Sequence, residues 1–252
     1  MTYNYSVSSL KLHQKYPRLW ALIYIEKLGR EQNPAIEYGS KIHNALESAF
    51  LSKKDIQDFD SITNKVLNEF VGTFNCPEDC VSLETKFYHP LVDGMPPVVG
   101  VVDLWWRDQG VTHVYDHKTC SSKKYCLQKD DLVSDWQLCL YVDALCGKNT
   151  DAVVGHNQFF KDKTGLINSF RTITNILTAD QRRGIIEEIK QEMLSAEYTR
   201  KLYEKYGLRG LRPSPEHKMW YGRPSPYADI INENMTVEEY RQTKQFLSSP
   251  SE

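Results

Sequence analysis

Two carboxylates and a lysine interrupt strand-like segments in GVVDLWWRDQGVTHVYDHKT, residues 100–119. The carboxylates belong to Asp103 and Asp116, and the lysine is Lys118. Two acids on one patch repel each other, and partial burial makes each charge costlier still. A divalent cation relieves that repulsion, and Mg²⁺ and Mn²⁺ accept such oxygen ligands. Because a nearby lysine can orient a water or stabilise the charge of a phosphate, the stretch predicts a metal site for phosphodiester chemistry.

A tight hairpin is needed to bring these acids together. The letters RDQG are predicted to form its turn, with Trp106 paired to Val111. In that antiparallel register Asp103 lies opposite Val114 and diagonal to Asp116, on the same face of the hairpin. A register shifted by one residue would send Asp103 to the opposite face. The hairpin alone leaves a second interpretation open, namely an exposed strand face that carries a simple salt bridge.

The segments around the hairpin predict a mixed α/β fold. Cap residues and apolar residues at helical spacing indicate helices, and apolar runs bounded by turn residues indicate strands. The predicted helices begin at Ser8 or Ser9 (interrupted near Pro17), at about 37 and 60, at Asp130 or Asp131, at Thr178 and at Thr236. The predicted strands lie at about 81–90, 97–106 and 111–119 and in a pair around the turn at 162–165.

The composition narrows the class of protein. The net charge is −2, so a nucleic-acid site would have to be a local patch. No apolar stretch approaches the roughly 18 residues of a membrane helix, and the start MTYNYSVSSL does not have the pattern of a secretory signal. The six cysteines are scattered, which favours reduced thiols. We therefore expect a cytoplasmic protein with no membrane partner.

Four short motifs follow one another along the chain. They are Gly-x-x-x-His at Gly39 and His43, Gly-x-x-Asp at Gly100 and Asp103, Asp-x-Lys at Asp116 and Lys118, and Gln-x-x-x-Tyr at Gln137 and Tyr141. In this order they resemble the PD-(D/E)XK nuclease superfamily, and within it the RecB-like exonuclease branch found in phages, AddB subunits and CRISPR adaptation nucleases. The resemblance covers about residues 6–141, with a fainter echo to about 232.

The resemblance implies a role for each motif residue. The side chains that would bind Mg²⁺ or Mn²⁺ are His43, Asp103 and Asp116. Lys118 would position or activate the hydrolytic water, while Gln137 and Tyr141 would buttress Lys118 or contact the DNA backbone. Glu84, in the strand LETKF, would either support the site or be an ordinary strand charge. Each residue also has a plain alternative, since a helical histidine or tyrosine is often only a surface or core residue.

The resemblance also implies the architecture. A mixed central β-sheet flanked by helices, the restriction-endonuclease-like core, would occupy about residues 37–175. A C-terminal helical extension would follow at about 176–252, and the whole chain, 1–252, would form a single nuclease domain.

Many members of this branch hold an iron–sulfur cluster with four cysteines, and here the sequence departs from the pattern. Tyr16 stands at the N-terminal cysteine position and Ser225 at a C-terminal one, and no cysteine follows Cys146. Because a cluster needs thiolate ligands, we expect no iron–sulfur cluster. We expect packing to hold the C-terminal segment, with three aromatic anchors: Trp220, Tyr221 and Tyr227.

The family resemblance implies DNA as the substrate. The candidate phosphate contacts are Lys123, Lys124, Lys161, Lys163, Arg209, Arg212, Lys218 and Arg223. Basic side chains beside aromatic ones suit a single strand or a frayed end, although most lysines on turns are only solvated. The leading hypothesis is an exonuclease that processes DNA ends in recombination, repair or phage replication, with a recombination or replication protein as candidate partner. A structure- or sequence-selective endonuclease and a catalytically silent DNA-binding scaffold are the alternatives.

Overall fold

The computed structural model describes residues 4–29, 34–75, 82–147, 149–212, 219–220, 223–224, 227–232 and 235–248. The chain forms two compact units. Gln32–Lys190 is called the sheet unit, and Tyr3–Glu31 with Gln191–Glu252 is called the terminal unit. The assignment of one nuclease domain over 1–252 stays a prediction. No helix in the described ranges is long and apolar enough to cross a membrane.

A five-stranded mixed sheet forms the sheet unit, with its strands side by side in chain order. They are β1 Ser82–His89, β2 Val98–Asp108, β3 Val111–Cys120, β4 Ala152–Lys161 and β5 Ile167–Leu177. Strands β3 and β4 run parallel, and the other neighbours run antiparallel. A parallel pair needs a long crossover, and this one contains a helix. The mixed sheet with flanking helices confirms the predicted fold class.

Helices surround the sheet and build the terminal unit. They are α1 Val7–Lys15, α2 Pro17–Trp20, α3 Pro34–Ser52, α4 Ser61–Thr73, α5 Trp136–Leu145, α6 Ala179–Tyr206, α7 Ala228–Ile231 and α8 Val237–Ser248. Shorter elements are the π-helical turn Ala21–Ile25, the 3₁₀ turns Lys123–Tyr125, Lys129–Ser134 and Gly207–Gly210, and the strand pair β6 Met219–Trp220 and β7 Arg223–Pro224.

Two hydrophobic clusters hold the helices of the sheet unit in place. One joins α3 and α4 to β4 and β5 through Ile42, Leu46, Leu67, Phe70, Phe159 and Ile167. The other joins α5 to β2, β3 and β4 through Val102, Val114, Leu138, Val142 and Val154. Burial of this apolar surface positions both α3, which carries His43, and α5, which carries Gln137 and Tyr141.

The hairpin of β2 and β3 is tighter than the sequence analysis predicts. The structure pairs Asp108 with Val111, so only Gln109 and Gly110 form the turn, at φ of 47° and 83°. Positive φ at both central residues matches the type I′ turn that fits the twist of a hairpin. The predicted Trp106–Val111 pair is therefore wrong by two residues, and Trp105 lies opposite Val114.

The helix α5 also begins later than predicted. The Asp135 side chain accepts hydrogen bonds from the N–H groups of Gln137 and Leu138 and is the N-cap. The predicted caps Asp130 and Asp131 lie instead in the 3₁₀ turn that precedes α5. An acid at either position suits an N-terminus, so the sequence alone could not separate a 3₁₀ turn from the first turn of the helix.

The terminal unit is held by buried polar bonds as well as apolar packing. Ser6, and not the predicted Ser8 or Ser9, caps α1 in a reciprocal capping box with Ser9. His13, which is 5% exposed, binds Oε1 of Glu192 through Nδ1 at 2.5 Å. Such a buried polar group is tolerated because its hydrogen bonds are satisfied.

Of the three predicted aromatic anchors, only Tyr227 has a side chain among the described residues. Tyr227 is 5% exposed, its hydroxyl donates to the carbonyl of Gly29, and its ring contacts Tyr240. The side chain of Trp220 and all of Tyr221 lie outside the described residues.

The sequence analysis predicts reduced thiols, and four of the six cysteines lie among the described residues. Cys120 and Cys126 are joined by a disulfide, so the expectation of reduced thiols is wrong for this pair. Cys139 and Cys146 are free thiols. Cys76 and Cys80 lie outside the described residues.

Candidate active site

Asp103 lies where β2 and β3 stop pairing. The regular ladder of the hairpin ends at Leu104 and Tyr115, so the next opposed residues, Asp103 and Asp116, stand outside it. The N–H of His117 donates instead to Oδ2 of Asp103, at 2.7 Å. Asp103 is 7% exposed, and this bond gives Oδ2 a partner in a place where water has little access.

The alternation of side chains along β2 also breaks at Asp103. Val102 packs in the cluster under α5, whereas Leu104 packs with Trp106 and Tyr115 in a separate cluster. In a regular strand Val102 and Leu104 would share one face. The strand is therefore locally irregular at the residue that carries the carboxylate, a common feature of strands beside functional sites.

His43 of α3 meets Asp103 from the helical side. Its Nε2 lies 2.8 Å from the carbonyl oxygen of His117, and a carbonyl only accepts, so this bond assigns the proton to Nε2. In the neutral ring Nδ1 then carries the lone pair. Nδ1 is 3.5 Å from Oδ2 of Asp103. The histidine thus offers a ligand nitrogen to the same point in space as the carboxylate.

Glu84 of β1 completes a group of three. The pairs Leu83–Leu104 and Thr85–Val102 flank it, so Glu84 stands opposite Asp103 in a gap of the ladder. Its φ of 43° is left-handed, a conformation that costs a non-glycine residue about 1–3 kcal/mol. Donor atoms of His43, Glu84 and Asp103 all lie within 4.8 Å of one another.

Beside this group runs a line of four polar side chains. Nζ of Lys118 lies 2.6 Å from Oδ2 of Asp116 and donates to Oε1 of Gln137 at 3.2 Å. Nε2 of Gln137 in turn donates to the hydroxyl of Tyr141 at 2.5 Å. Asp116 is 1% exposed and Lys118 is 40% exposed, so the ammonium joins a buried carboxylate to the surface. Gln137 and Tyr141 lie one helical turn apart on α5, which lets them meet.

Residues 77–206, more than half of the chain, match the PD-(D/E)XK nuclease superfamily. The chain belongs to the PD-(D/E)XK nuclease superfamily. Among solved structures, the one described as "Crystal structure of SSO0001" aligns over 77% of this chain and 77% of its own, with 15% sequence identity and a TM-score of 0.42. A comparison with curated proteins gave no match.

A PD-(D/E)XK nuclease uses a divalent metal, and the chemistry of the three donors fits one. His43 supplies an imidazole nitrogen, and Glu84 and Asp103 supply carboxylate oxygens. Carboxylate oxygens suit Mg²⁺, and a mixed set of oxygen and nitrogen ligands suits Mn²⁺. The His117 carbonyl fixes the ring of His43 from behind, as partners of ligand histidines commonly do.

In this PD-(D/E)XK site the pKa of Asp103 is lowered, whereas the pKa values of Asp116 and Glu84 are raised. Burial tends to raise the pKa of Asp103, but His43 and the N–H of His117 outweigh it, and this pKa lies below its usual 3.8. Burial raises the pKa of Asp116 to about 7, against the charge of Lys118. Burial and the charge of Asp103 also raise the pKa of Glu84. Burial is the main cause of both raised pKa values and the charge of Asp103 adds to it, so a bound cation would favour the charged carboxylates.

The His117 side chain serves the opposite face of β3. The amide Nδ2 of Asn157 donates to Nδ1 of His117 at 3.2 Å, and the ring packs against Phe70 and Phe159. Burial lowers the pKa of His117 to about 4, so the imidazole stays neutral. His117 therefore contributes its main chain to the site, and its ring packs in the core with an edge contact to the ring of His43.

The structure brings together most of the residues predicted for the site. His43 and Asp103 lie within one donor group, and Lys118, Gln137 and Tyr141 form one hydrogen-bonded line. Oδ2 of Asp116 is engaged by Lys118, and the role of Asp116 as a ligand stays a prediction. Glu84 was not among the predicted ligands.

The sequence signal for Glu84 is an acid inside a strand of mixed polar and apolar residues, which is weak. The role of Glu84 becomes visible only from the register of β1 against β2, because that register sets Glu84 opposite Asp103. A one-residue shift of the strand would have turned the carboxylate away.

The predicted phosphate contacts are spread over both units. In the sheet unit, Nζ of Lys161 lies 4.1 Å from the ring centre of Tyr38, and Lys163 is exposed in the turn between β4 and β5. In the terminal unit, Arg212 is exposed. Lys218 and the side chain of Arg223 lie outside the described residues.

Proposed function

We propose that this protein is a divalent-metal-dependent deoxyribonuclease that acts as an exonuclease on DNA ends. The observation that carries the proposal is the meeting of His43, Glu84 and Asp103 within 4.8 Å, next to the pair of Asp116 and Lys118. Membership of the nuclease superfamily supports the chemistry. A scaffold that only binds DNA has no need for crowded acids, a histidine and a lysine at one point.

The residues have separate roles in this proposal. His43, Glu84 and Asp103 would hold Mg²⁺ or Mn²⁺, and Asp116 would add an oxygen through Oδ1, because Lys118 engages Oδ2. The bound metal would polarise the scissile phosphate and lower the pKa of an attacking water.

The side chains next to the donor group would orient the reaction. Lys118 would hold the water or stabilise the charge that develops on the phosphate. Gln137 accepts from the ammonium of Lys118 and so limits its positions, and Tyr141 fixes the amide of Gln137. Gln137 and Tyr141 are therefore positioning residues.

The exonuclease assignment rests on the resemblance of the motifs to the RecB-like branch. It implies work on DNA ends or single-stranded segments, in recombination, repair or phage replication. The proposal includes the cytoplasm of a bacterium or of a phage-infected cell as the location, and a recombination or replication protein as partner. It also includes the absence of an iron–sulfur cluster.

Cleavage of two DNA forms tests the activity. Purified protein is incubated with linear and with closed circular duplex DNA in Mg²⁺ or Mn²⁺. Loss of the linear form alone supports the exonuclease. Nicking of the circle supports an endonuclease on the same core, and retained binding without cleavage supports the scaffold.

Metal binding tests the ligand set independently of cleavage. Mn²⁺ affinity is measured by calorimetry for Glu84→Gln, Asp103→Asn and Asp116→Asn. We expect each to weaken binding by about tenfold or more. Asp130→Asn, an exposed acid of the same unit, is the matched control and should bind as the wild type does. Unchanged Mn²⁺ affinity in Glu84→Gln would remove Glu84 from the site.

A further inference from the structure

Two cations converge on one buried ring beyond the candidate active site. Nζ of Lys123 lies 5.2 Å from the ring centre of Phe160, and the guanidinium carbon of Arg171 lies 5.5 Å from it. Cations within about 6 Å of an aromatic ring are attracted by its quadrupole. Phe160 is 5% exposed, whereas Lys123 is exposed and Arg171 is half-buried. Two positive charges that solvent can reach therefore lie near the same ring.

The charge of these cations is not neutralised by neighbouring acids. Nε of Arg171 donates to Oε1 of Gln158 at 2.8 Å, and Nη2 donates to Oε1 of Gln128 at 3.4 Å. Both partners are neutral amides. In the part of the chain that the structure describes, neither Arg171 nor Lys123 forms an ion pair with an aspartate or glutamate. Two like charges that share a ring repel each other, and a bound anion would relieve that repulsion.

Arg171 lies two strands away from Lys118, the lysine proposed to act in cleavage. Lys118 of β3 pairs with Gln158 of β4, and Gln158 pairs with Arg171 of β5. Residues opposed in this way point to the same face of a sheet. Neighbouring strands lie about 4.8 Å apart, so the Cα atoms of Lys118 and Arg171 are separated by about 10 Å. A DNA strand that passes Lys118 can therefore extend across this face of the sheet to Arg171.

The loop that carries Lys123 is anchored. It is closed by the Cys120–Cys126 disulfide, and the Gln158 amide donates to the carbonyl of Leu127 at 2.9 Å. A cation that is already held in place loses less freedom when it binds a ligand. Arg171 adds the planar fork that matches phosphate oxygens, which a lysine cannot supply.

We propose that Lys123 and Arg171 form a phosphate subsite that holds the DNA strand beside the scissile phosphate, on the side of the sheet that carries Lys118. This inference rests on the proposed nuclease function and names where the strand runs. The subsite binds the sugar–phosphate backbone and does not read bases.

Binding of single-stranded DNA without metal tests the subsite apart from cleavage. Affinity for a fluorescent oligonucleotide of about eight nucleotides is measured in EDTA across a salt series. Arg171→Gln and Lys123→Gln should each weaken binding by about three- to tenfold. Each should also reduce the slope of log affinity against log salt by about 0.7, the value for one lost contact to a single strand.

Arg183→Gln is the matched control. Arg183 is an exposed arginine of the same unit, paired with Asp180 on α6, so its replacement removes the same charge elsewhere. Arg171→Gln also removes hydrogen bonds to two side-chain amides, which can destabilise the fold. Lys123→Gln avoids this problem, because in the described residues the side chain of Lys123 makes only the ring contact. Unchanged affinity and salt slope in both variants would overturn the subsite, and so would an equal loss in Arg183→Gln.

The outcome is separable from that of the nuclease proposal. Cleavage by the wild type together with unchanged DNA binding in both variants would remove the subsite alone. Absence of cleavage in Mg²⁺ and Mn²⁺ together with the expected binding losses would remove the nuclease and keep the phosphate subsite.

Discussion

His43 and Asp103 bind the two main-chain polar groups of a single residue, His117. The carbonyl of His117 accepts from Nε2 of His43 at 2.8 Å, and its N–H donates to Oδ2 of Asp103 at 2.7 Å. The strand β3 thereby sets the positions of a helical residue and of a residue on the neighbouring strand. The donor group is fixed by backbone, which is stiffer than side chains on a surface.

Asp103 should therefore have a structural role that is separable from its charge. Asp103→Asn keeps an acceptor for the N–H of His117, so we expect the free energy of unfolding to stay within about 1 kcal/mol of the wild type. Asp103→Ala leaves that buried N–H without its partner and should cost about 1–3 kcal/mol. Urea unfolding without metal measures both. Cleavage should fall by about a hundredfold or more in either variant. Equal stabilities of the two variants would contradict the role of the bond.

Tyr141 should act on the reaction only through Gln137 and Lys118. Tyr141→Phe removes the acceptor of the Gln137 amide, so the amide is held less firmly against Lys118. Loss of about 1 kcal/mol of positioning corresponds to a fall in kcat of about fivefold. We expect KM and Mn²⁺ affinity to stay at wild-type values. Tyr198→Phe, an exposed tyrosine on α6, is the control, and a change in Mn²⁺ affinity in Tyr141→Phe would argue against a purely positioning role.

A glycine should be required at position 100 because neighbouring side chains fill the space that a Cβ atom would occupy. A Cβ at this position would lie 2.6 Å from Cζ of Phe87 and 3.4 Å from Cε1 of Tyr141. Gly100→Ala should therefore destabilise the protein by about 1–3 kcal/mol, as overpacking commonly does. The additional change Phe87→Leu should recover part of the loss, and thermal melts of the two singles and the double measure the coupling. Gly72→Ala in α4 meets no atom within 4 Å and should not destabilise. Simple additivity of the two changes would refute the contact.

Asp60 should stabilise α4 in a pH-dependent way. Its Oδ1 accepts from the N–H groups of Thr63 and Ile62, and these bonds hold the pKa of Asp60 below its usual 3.8. A folded-state pKa that is lowered contributes stability above the unfolded pKa, and the contribution is lost as the pH falls through the folded pKa. Asp60→Ala should cost about 1 kcal/mol at pH 7 and less below about pH 4. Unfolding of Asp60→Ala and of Asp60→Asn, whose amide oxygen accepts at every pH, measures the difference. A cost for Asp60→Ala that does not change with pH would rule out the carboxylate as the cap.

The local features of the fold were readable because they depend on neighbours in the chain. Asp60 precedes an apolar helical pattern, Thr178 and Gln181 form the predicted capping box, and α4 begins within a residue of its predicted start. The hairpin was predicted two residues too wide, since RDQG fits a four-residue turn as well as the two-residue turn that forms. The error kept the paired residues of β2 and β3 on their predicted faces, because a shift of two residues preserves the alternation of side chains.

The motif residues, the order of helices and strands and the mixed α/β class could be predicted from the amino-acid sequence, because periodicity and cap chemistry act over a few residues. Three relations are visible only in the folded chain: Glu84 faces Asp103, His117 joins His43 to Asp103 through its main chain, and Arg171 shares a ring with Lys123. These relations depend on register between strands and on the docking of α3, which are set by packing among residues far apart in the chain.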